Sequence, residues 1–236
     1  MDYAALGDHS ERPAQPPEQD AGLREVRSRG SAGSPGLRVR SNFLAFCVAA
    51  LMLAGCATRP TTPATRTWSA PCDDCMPGVA NFTKVSEKLW RGTQPDVHDP
   101  EVFQKLRAAG IRTVINLRHD HDDFPRLAGT DIAYVWIPMR AWRPEEEQMV
   151  LFLAALRRAF ADPQRWPVFV HCAEGKDRTG YAIATYRIVE QQWDADSAIQ
   201  EMFDFRYNPI WFGNPRFLRG IAERRTEIAQ RVGRWP

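Results

Sequence analysis

The chain contains 236 residues, of which 44% are hydrophobic and 25% are charged, so it can hold one good-sized domain with a buried core and flanking segments. The formal net charge is only +2 at pH 7, which gives no basic field of the kind that attracts nucleic acid. We therefore expect no nucleic-acid partner, and other ligands must be inferred from local motifs.

Residues 1–37 are rich in Pro, Ser, Gly, Glu and Arg and show no apolar period, so they cannot bury enough surface to fold. We expect a disordered segment or an extension that precedes the true start of the protein. Residues 38–56 differ: Arg38 and Arg40 precede an apolar run at 43–53, and small residues lead to Cys56. This order is typical of a secretory signal, and the apolar run is shorter than the roughly 20 residues that span a bilayer.

The sequence LAGC, which ends at Cys56, resembles the lipobox of bacterial lipoproteins. The resemblance implies that the sulfur of Cys56 is diacylated and that Cys56 becomes the new N-terminus, which anchors the protein to a membrane. Because the signal begins near residue 38, two explanations stay open: translation that starts near Val39, or a signal anchor with a cytoplasmic tail. Both place the following domain outside the cytoplasm, facing the periplasm or the cell exterior, because the arginines stay inside.

Residues 57–80 are rich in Pro and Thr, and we interpret them as an extended tether. Within this segment, Cys72 and Cys75 form a CxxC pair that is compatible with a redox site, half of a zinc site or a local disulfide. Zinc would need a second pair of ligands, and Pro71 and Pro77 disfavour a redox helix. A small structural disulfide, or no role at all, is therefore the preferred interpretation.

The folded domain is predicted at 81–236, where apolar strand patterns alternate with helical ones. This alternation predicts an α/β fold with a central, mostly parallel sheet that helices cover on both faces. Strands are expected at 88–92, 112–117, 133–138 and 168–170, and helices at 98–110, 144–160, 178–192, 194–206 and 215–231.

The loop HCAEGKDRTG at 171–180 joins the apolar strand 168–170 to an apolar helix. It thus lies beyond the carboxyl end of a sheet strand, where ligands bind in open α/β sheets. Its backbone N–H groups and the helix N-terminus form a cradle for phosphate or sulfate. These dipoles and the Arg178 guanidinium favour the thiolate form of Cys172, a nucleophile, and the planar fork of Arg178 can hold two phosphoryl oxygens.

The same ten residues fit the signature H-C-x-x-G-x-x-R-[ST]-G of the protein tyrosine phosphatase superfamily at every specified position. The resemblance covers roughly residues 81–225, and the segments 81–95 and 194–202 are also similar to compact bacterial and fungal dual-specificity phosphatases. It implies the cysteine-phosphatase fold and hydrolysis of phosphomonoesters through a thiophosphoryl-cysteine intermediate. We expect no metal and no other cofactor.

By this resemblance, Cys172 attacks phosphorus and Arg178 holds the phosphoryl group through the transition state. Thr179 hydrogen-bonds the sulfur and eases its departure, and His171 supports the thiol from behind the loop. The substrate phosphate is expected to bind to a loop formed by Ala173, Glu174, Gly175, Lys176, Asp177 and Arg178.

The general acid departs from the family pattern, because typical dual-specificity phosphatases carry an Asp in the loop after the strand equivalent to 133–138. Here that loop reads MRAWRPEEE and contains no Asp. Asp177 is our candidate, since a loop Asp has been proposed as the acid in similar phosphatases. One alternative is Glu145 to Glu147, although these residues are also favourable as first-turn helix charges. The other is the set of acids in RHDHDD, namely Asp120, Asp122 and Asp123, for which a solvated loop is the default interpretation.

Three functions are weighed for this loop. The first is a phosphatase that acts on phosphotyrosine or phosphoserine/threonine in proteins. The second is a phosphoinositide or inositol polyphosphate phosphatase, in which Lys176 would contact a second phosphate. The third is a phosphate-binding protein without turnover, which the intact Cys172 and Arg178 disfavour.

Overall fold

The computed structural model describes residues 67–235, and in this range the chain forms five strands and six α-helices. The strands are β1 (Thr83–Lys84), β2 (Leu89–Gly92), β3 (Thr113–Arg118), β4 (Ala133–Met139) and β5 (Val168–His171). The helices are α1 (Val102–Ala108), α2 (Glu146–Phe160), α3 (Asp177–Val189), α4 (Ala195–Asp204), α5 (Gly213–Glu223) and α6 (Arg225–Gly233). The predicted signal and its Cys56 lie outside the described residues, and no helix between 67 and 235 is long and apolar enough to cross a bilayer.

The five strands form one sheet in the order β1-β2-β5-β3-β4, so β5 lies in the middle. β5 runs parallel to β2 and to β3, β3 runs parallel to β4, and β1 is antiparallel to β2. The register places Gly92 and Asn116 opposite His171. The carboxyl ends of β2, β5 and β3 therefore meet at one edge, beside the loop that follows β5. This sheet confirms the predicted α/β class.

Side chains of β5 alternate between the two faces of the sheet, as the pleat of a strand requires. Val168 and Val170 belong to a large apolar core beneath α2 to α6, whereas Phe169 belongs to a second core beneath α1. The sheet is thus covered by helices on both faces, as predicted. α3 is buried from Thr179 to Val189, because α2, α4, α5 and α6 pack around it. This burial explains why its sequence is apolar on nearly every side.

The prediction of a single helix at 215–231 is wrong, because this part of the chain forms two helices, α5 and α6, with a break at Arg224. Arg224 has φ −107° and ψ 17°, outside the helical region. Its guanidinium binds the carboxylates of Glu146 and Glu227, at 2.7 Å and 2.9 Å. The change of direction allows α6 to bury Ile228 and Val232.

The structured part of the chain begins earlier than the predicted boundary at residue 81. The backbones of Cys72 and Phe82 exchange two hydrogen bonds of 2.8 Å, and Met76 and Val79 are buried in the core beneath α1. Cys72 is disulfide-bonded to Cys75, which fits the structural interpretation of this pair. The second half of the predicted tether therefore packs against the domain.

Candidate active site

The loop between β5 and α3 turns its carbonyl groups toward the end of β2. The carbonyl of Ala173 accepts a hydrogen bond of 3.1 Å from the backbone N–H of Gln94. The carbonyls of Glu174 and Gly175 accept from the Asn81 amide, at 3.4 Å and 3.1 Å. In a planar trans peptide the C=O and N–H groups point in opposite directions, so the N–H groups that follow these carbonyls point away from β2. Within residues 67–235, no acceptor binds the N–H groups of residues 174–176, and they remain available to an anion.

Gly175 is required by this curvature for two reasons. Its φ of 64° lies in the left-handed region, which other residues adopt at a cost. A Cβ at this position would lie only 2.5 Å from the carbonyl oxygen of Gly92. The loop can approach β2 this closely only without a side chain.

Cys172 is 2% exposed and is the free cysteine among the described residues. It follows the last residue of β5, so its thiol lies at the base of the loop. Thr179, in the first turn of α3, is fully buried, and its hydroxyl has no hydrogen-bond partner within residues 67–235. A buried hydroxyl without a partner is costly, and its predicted bond to the sulfur would satisfy it.

Arg178 lies in the first turn of α3 with its side chain 12% exposed. One terminal nitrogen, Nη1, is 3.4 Å from Nδ1 of His119 and 3.7 Å from a carboxylate oxygen of Asp120. Its Nε is buried and has no partner in the described part of the chain. The guanidinium therefore retains a free donor for a phosphoryl oxygen.

His171 and Asp123 form a buried pair behind the loop. Both side chains are fully buried, and Nε2 of His171 is 3.1 Å from a carboxylate oxygen of Asp123. That carboxylate also accepts hydrogen bonds from Gln94, at 2.6 Å, and from Asn116, at 2.8 Å. Burial alone would raise the pKa of Asp123, but its contacts with His171 and Gln94 outweigh burial and lower the pKa. The solvated-loop interpretation is therefore wrong for Asp123, which is an ionised buried carboxylate.

Asp177, the candidate general acid, has both carboxylate oxygens engaged. One oxygen accepts a hydrogen bond from the backbone N–H of Asn208, at 2.9 Å, and the other accepts from Nε1 of Trp211, at 3.1 Å. Asp177 thus connects the first turn of α3 to the segment between α4 and α5.

The alternative acids occupy three different environments. Glu146 and Glu147 at the start of α2 bind Arg231 of α6, so they are held by that helix. Glu145 is exposed, 3.9 Å from Nε of Arg143. Asp120 is the alternative acid that approaches Arg178, but its own hydrogen bond with Arg118 lowers the pKa of Asp120 to about 2. An acid with such a low pKa is ionised at neutral pH and is a poor proton donor.

Aromatic side chains line one side of the loop. The indole of Trp142 lies between His119 and Trp211, with ring-centroid distances of 6.3 Å and 5.9 Å. The guanidinium of Arg140 is 5.8 Å from the same indole. We call Trp142, His119 and Trp211 the aromatic wall. It was not anticipated from the sequence, although a tryptophan in the loop after β4 is visible there.

Two charged side chains of the loop, Lys176 and Glu174, neutralise each other. The ammonium group of Lys176 is 2.6 Å from the carboxylate of Glu174, whose side chain is 70% exposed. Glu174 therefore points outward, away from the N–H groups of the cradle, and reduces the field of Lys176.

A buried thiol, a cradle of free N–H groups and a guanidinium with a free donor form the machinery that phosphoryl transfer through a cysteine requires. Together with the mostly parallel sheet, this arrangement defines a cysteine-dependent phosphatase that hydrolyses phosphomonoesters.

Comparison with known proteins identifies the family. Residues 75–207 match the family described as "DSP-PTPase phosphatase fused to NAD+ Kinase". The chain is 32% identical over 161 residues to the dual specificity protein phosphatase TpbA of Pseudomonas aeruginosa, an alignment that covers 67% of this chain and 69% of TpbA. It is 29% identical over 126 residues to the inositol diphosphatase DSP5 of Arabidopsis thaliana, which covers 51% and 59% of the two chains. The chain therefore belongs to the DSP-PTPase family of compact dual-specificity phosphatases.

The fold is shared with a crystal structure of Pseudomonas aeruginosa TpbA in complex with pTyr. The TM-score is 0.56 at 23% identity, and the match covers 73% of this chain and 99% of that one. At this identity the similarity establishes the fold alone.

Proposed function

We propose that the domain hydrolyses phosphotyrosine in proteins by way of a phosphocysteine on Cys172. The observation that carries this proposal is the cradle itself, because the same short loop that follows Cys172 holds its free N–H groups and the free Nε of Arg178. The aromatic wall supports an aryl substrate, since an exposed indole at Trp142 offers a face on which a tyrosyl ring can pack. The similarity to TpbA, named a dual specificity protein phosphatase, supports a phosphorylated protein as the substrate.

In the first step, the Cys172 thiolate forms a bond to phosphorus while the bond between phosphorus and the leaving oxygen breaks. The N–H groups of the cradle and Arg178 stabilise the charge on the remaining phosphoryl oxygens. In the second step, water forms a bond to phosphorus and the sulfur leaves as thiolate, to which the Thr179 hydroxyl donates. Inorganic phosphate is released, and His171 keeps its supporting position behind the loop.

Asp177 remains the proposed proton donor to the leaving oxygen. Its carboxylate accepts hydrogen bonds from Asn208 and Trp211, so the carboxyl must be protonated and turn away from Trp211 in order to donate. We expect Asp177→Asn to slow hydrolysis of an alkyl phosphate more than that of an aryl phosphate whose leaving group needs no proton. Trp211→Phe is the matched control, since it removes the indole N–H but keeps the acid. Equal losses for both substrates would reduce Asp177 to an anchor of the Asn208 segment.

Hydrolysis of inositol polyphosphates or phosphoinositides is the alternative, supported by the similarity to the inositol diphosphatase DSP5. Such substrates carry several phosphates and need several free cations. Besides Arg178, the loop carries one more cation, Lys176, but Glu174 pairs with it. Initial rates on a phosphotyrosyl peptide, a phosphoseryl peptide, an inositol polyphosphate and a phosphoinositide vesicle distinguish the two proposals. A higher kcat/KM for an inositol phosphate would overturn the preference for protein substrates.

The central experiment compares Cys172→Ser with the wild type. We expect the variant to bind inorganic phosphate but to release none from an aryl phosphate, because serine is not ionised at neutral pH. Arg178→Lys is expected to lose both binding and turnover, because a lysine cannot donate two parallel hydrogen bonds. The double variant Cys72→Ser/Cys75→Ser serves as a control for cysteine removal and should retain turnover. Continued hydrolysis by Cys172→Ser would contradict the mechanism.

We also propose that the protein is exported and attached to a membrane through a lipid on Cys56. The disulfide between Cys72 and Cys75 supports this proposal, because disulfides persist in oxidising compartments. Expression of the full chain with a labelled fatty acid, followed by fractionation, should place label and protein in the membrane fraction. Cys56→Ser should abolish both the labelling and the membrane attachment of the protein, whereas Cys47→Ser should abolish neither. Label on Cys56→Ser would refute the assignment.

A further inference from the structure

Arg91 is a fully buried arginine that lies beneath the catalytic loop. It is the third residue of β2, opposite Val170 of β5, and its side chain is 1% exposed. Its guanidinium makes no ion pair with any carboxylate within residues 67–235, and its Nε has no hydrogen-bond partner there. The comparably buried Arg187 instead pairs with Glu201, at 2.6 Å and 2.8 Å.

Two contacts hold the guanidinium of Arg91. Nη2 donates a hydrogen bond of 2.6 Å to the carbonyl of Gly175, and the guanidinium lies 3.8 Å from the ring centroid of Phe205. Neither contact neutralises the charge. Removing an ion from water without a countercharge is costly, so such an arginine calls for an anion nearby.

Two negative charges act on Arg91, those of Glu201 and Cys172, and Cys172 lies two residues beyond Val170, the partner of Arg91 in β5. Burial lowers the pKa of Arg91 to about 10, which still leaves it charged at neutral pH, and the negative charges of Glu201 and Cys172 oppose this lowering. Glu201 is already paired with Arg187. Electrostatic interaction is mutual, so the cation of Arg91 stabilises the thiolate to the same extent as the thiolate stabilises the cation.

The hydrogen bond to Gly175 has a second consequence for the cradle. Arg91 and Asn81 both donate to the Gly175 carbonyl, at 2.6 Å and 3.1 Å. This contact fixes the orientation of the peptide between Gly175 and Lys176. Because that peptide is planar, the Lys176 N–H is fixed in the opposite direction, on the side away from Arg91.

We propose that Arg91 is a positioning residue of the phosphatase: its buried charge stabilises the Cys172 thiolate from below, and its hydrogen bond orients the Lys176 N–H toward the bound phosphate. The inference rests on the proposed function, since it assigns Arg91 a part in the reaction at Cys172.

The test measures how the rate of Cys172 alkylation by iodoacetamide depends on pH, together with kcat/KM for an aryl phosphate. Arg91→Met removes the charge and the hydrogen bond. We expect the midpoint of the alkylation profile to rise by about one pH unit and kcat/KM below that midpoint to fall about 10-fold. Arg91→Lys keeps the charge but loses the planar fork, so its midpoint should match the wild type while kcat/KM falls.

A matched control separates this role from general destabilisation. Arg187→Met/Glu201→Gln removes another buried arginine together with its partner, so the net charge of the core is unchanged. It should lower the resistance to urea without moving the alkylation midpoint. A midpoint that moves equally in this control, or that stays unchanged in folded Arg91→Met, would overturn the proposal.

A second variant and the alkylation profile itself cover the cases in which Arg91→Met does not fold or the wild type is inactive. If Arg91→Met does not fold, Arg91→Gln replaces it, because glutamine is neutral yet can still donate to a carbonyl; an unchanged midpoint in that variant overturns the role of the charge. If the wild type hydrolyses no phosphomonoester, the proposed function fails, but the alkylation midpoints still decide whether Arg91 stabilises the thiolate.

Discussion

Replacement of Gly175 by alanine tests whether the close approach of the catalytic loop to β2 is needed for activity. The added Cβ would lie 2.5 Å from the carbonyl oxygen of Gly92 and 2.9 Å from the backbone nitrogen of Thr93. Both are backbone atoms and cannot rotate aside as a side chain could. To reach an ordinary contact of 3.4 Å, the loop would have to move by about 0.9 Å from β2.

Two costs follow from this displacement. Alanine in the left-handed region loses about 1–2 kcal/mol of stability relative to glycine. A misplacement of about 1 Å in catalytic groups can lower the rate by about 100-fold, because orientation contributes much of the acceleration. We therefore expect Gly175→Ala to lower kcat/KM by about 100-fold and the free energy of unfolding by at least about 1–2 kcal/mol.

The assay combines kcat/KM for an aryl phosphate with urea unfolding, and Gly129→Ala is the matched control. Gly129 also has a positive φ, of 80°, but a Cβ there would meet no atom within 4 Å. The Gly129→Ala variant should be less stable because of the backbone strain but should keep full activity. The reasoning is refuted if the kcat/KM of Gly175→Ala stays within a few-fold of the wild-type value, or if Gly129→Ala loses as much activity as Gly175→Ala.

Three other predictions concern Asp123, Arg187 and Trp142. Because contacts with His171 hold the pKa of Asp123 below its usual 3.8, its stabilising contribution is fully present above that pH and is lost as the pH falls through the lowered value. Asp123→Asn should therefore cost about 1–3 kcal/mol in urea unfolding at neutral pH and less in acid, and a pH-independent cost would contradict the ionised state. Arg187→Met should cost about 3–5 kcal/mol by leaving Glu201 buried without a partner, and replacing both residues should cost less than the single change. Trp142→Ala should raise KM for an aryl phosphate by about 2- to 10-fold and leave a small alkyl phosphate unaffected, whereas equal effects on both substrates would remove the aromatic wall from substrate binding.

Four of the five strands, the catalytic loop and its neighbouring elements could be predicted from the sequence, because each depends on local pattern, whereas the two-residue strand β1 was not predicted. The apolar run at 168–170 and the motif that follows it are sufficient to place Cys172 directly after a buried strand and Arg178 at the start of the next helix. The break at Arg224 could not be predicted, because arginine is a good helix former and only the tertiary contacts with Glu146 explain the turn there.

The supporting residues could not be identified because they depend on strand order. Asp123 reaches His171 only because β3 lies beside β5, and nothing in RHDHDD shows which acid is buried. Arg91 similarly reaches Gly175 only because β2 lies on the other side of β5. In the sequence, Arg91 resembles any charged residue at the end of a short strand.

The central place of β5 has a consequence for how the enzyme loses activity. A strand with parallel neighbours on both sides cannot separate from the sheet by fraying, unlike the edge strands β1 and β4. The amide protons of 168–170 should therefore exchange with deuterated solvent only through global opening of the molecule. Separation of Cys172 from its place at the end of β5 by heat or denaturant is then expected to coincide with complete unfolding.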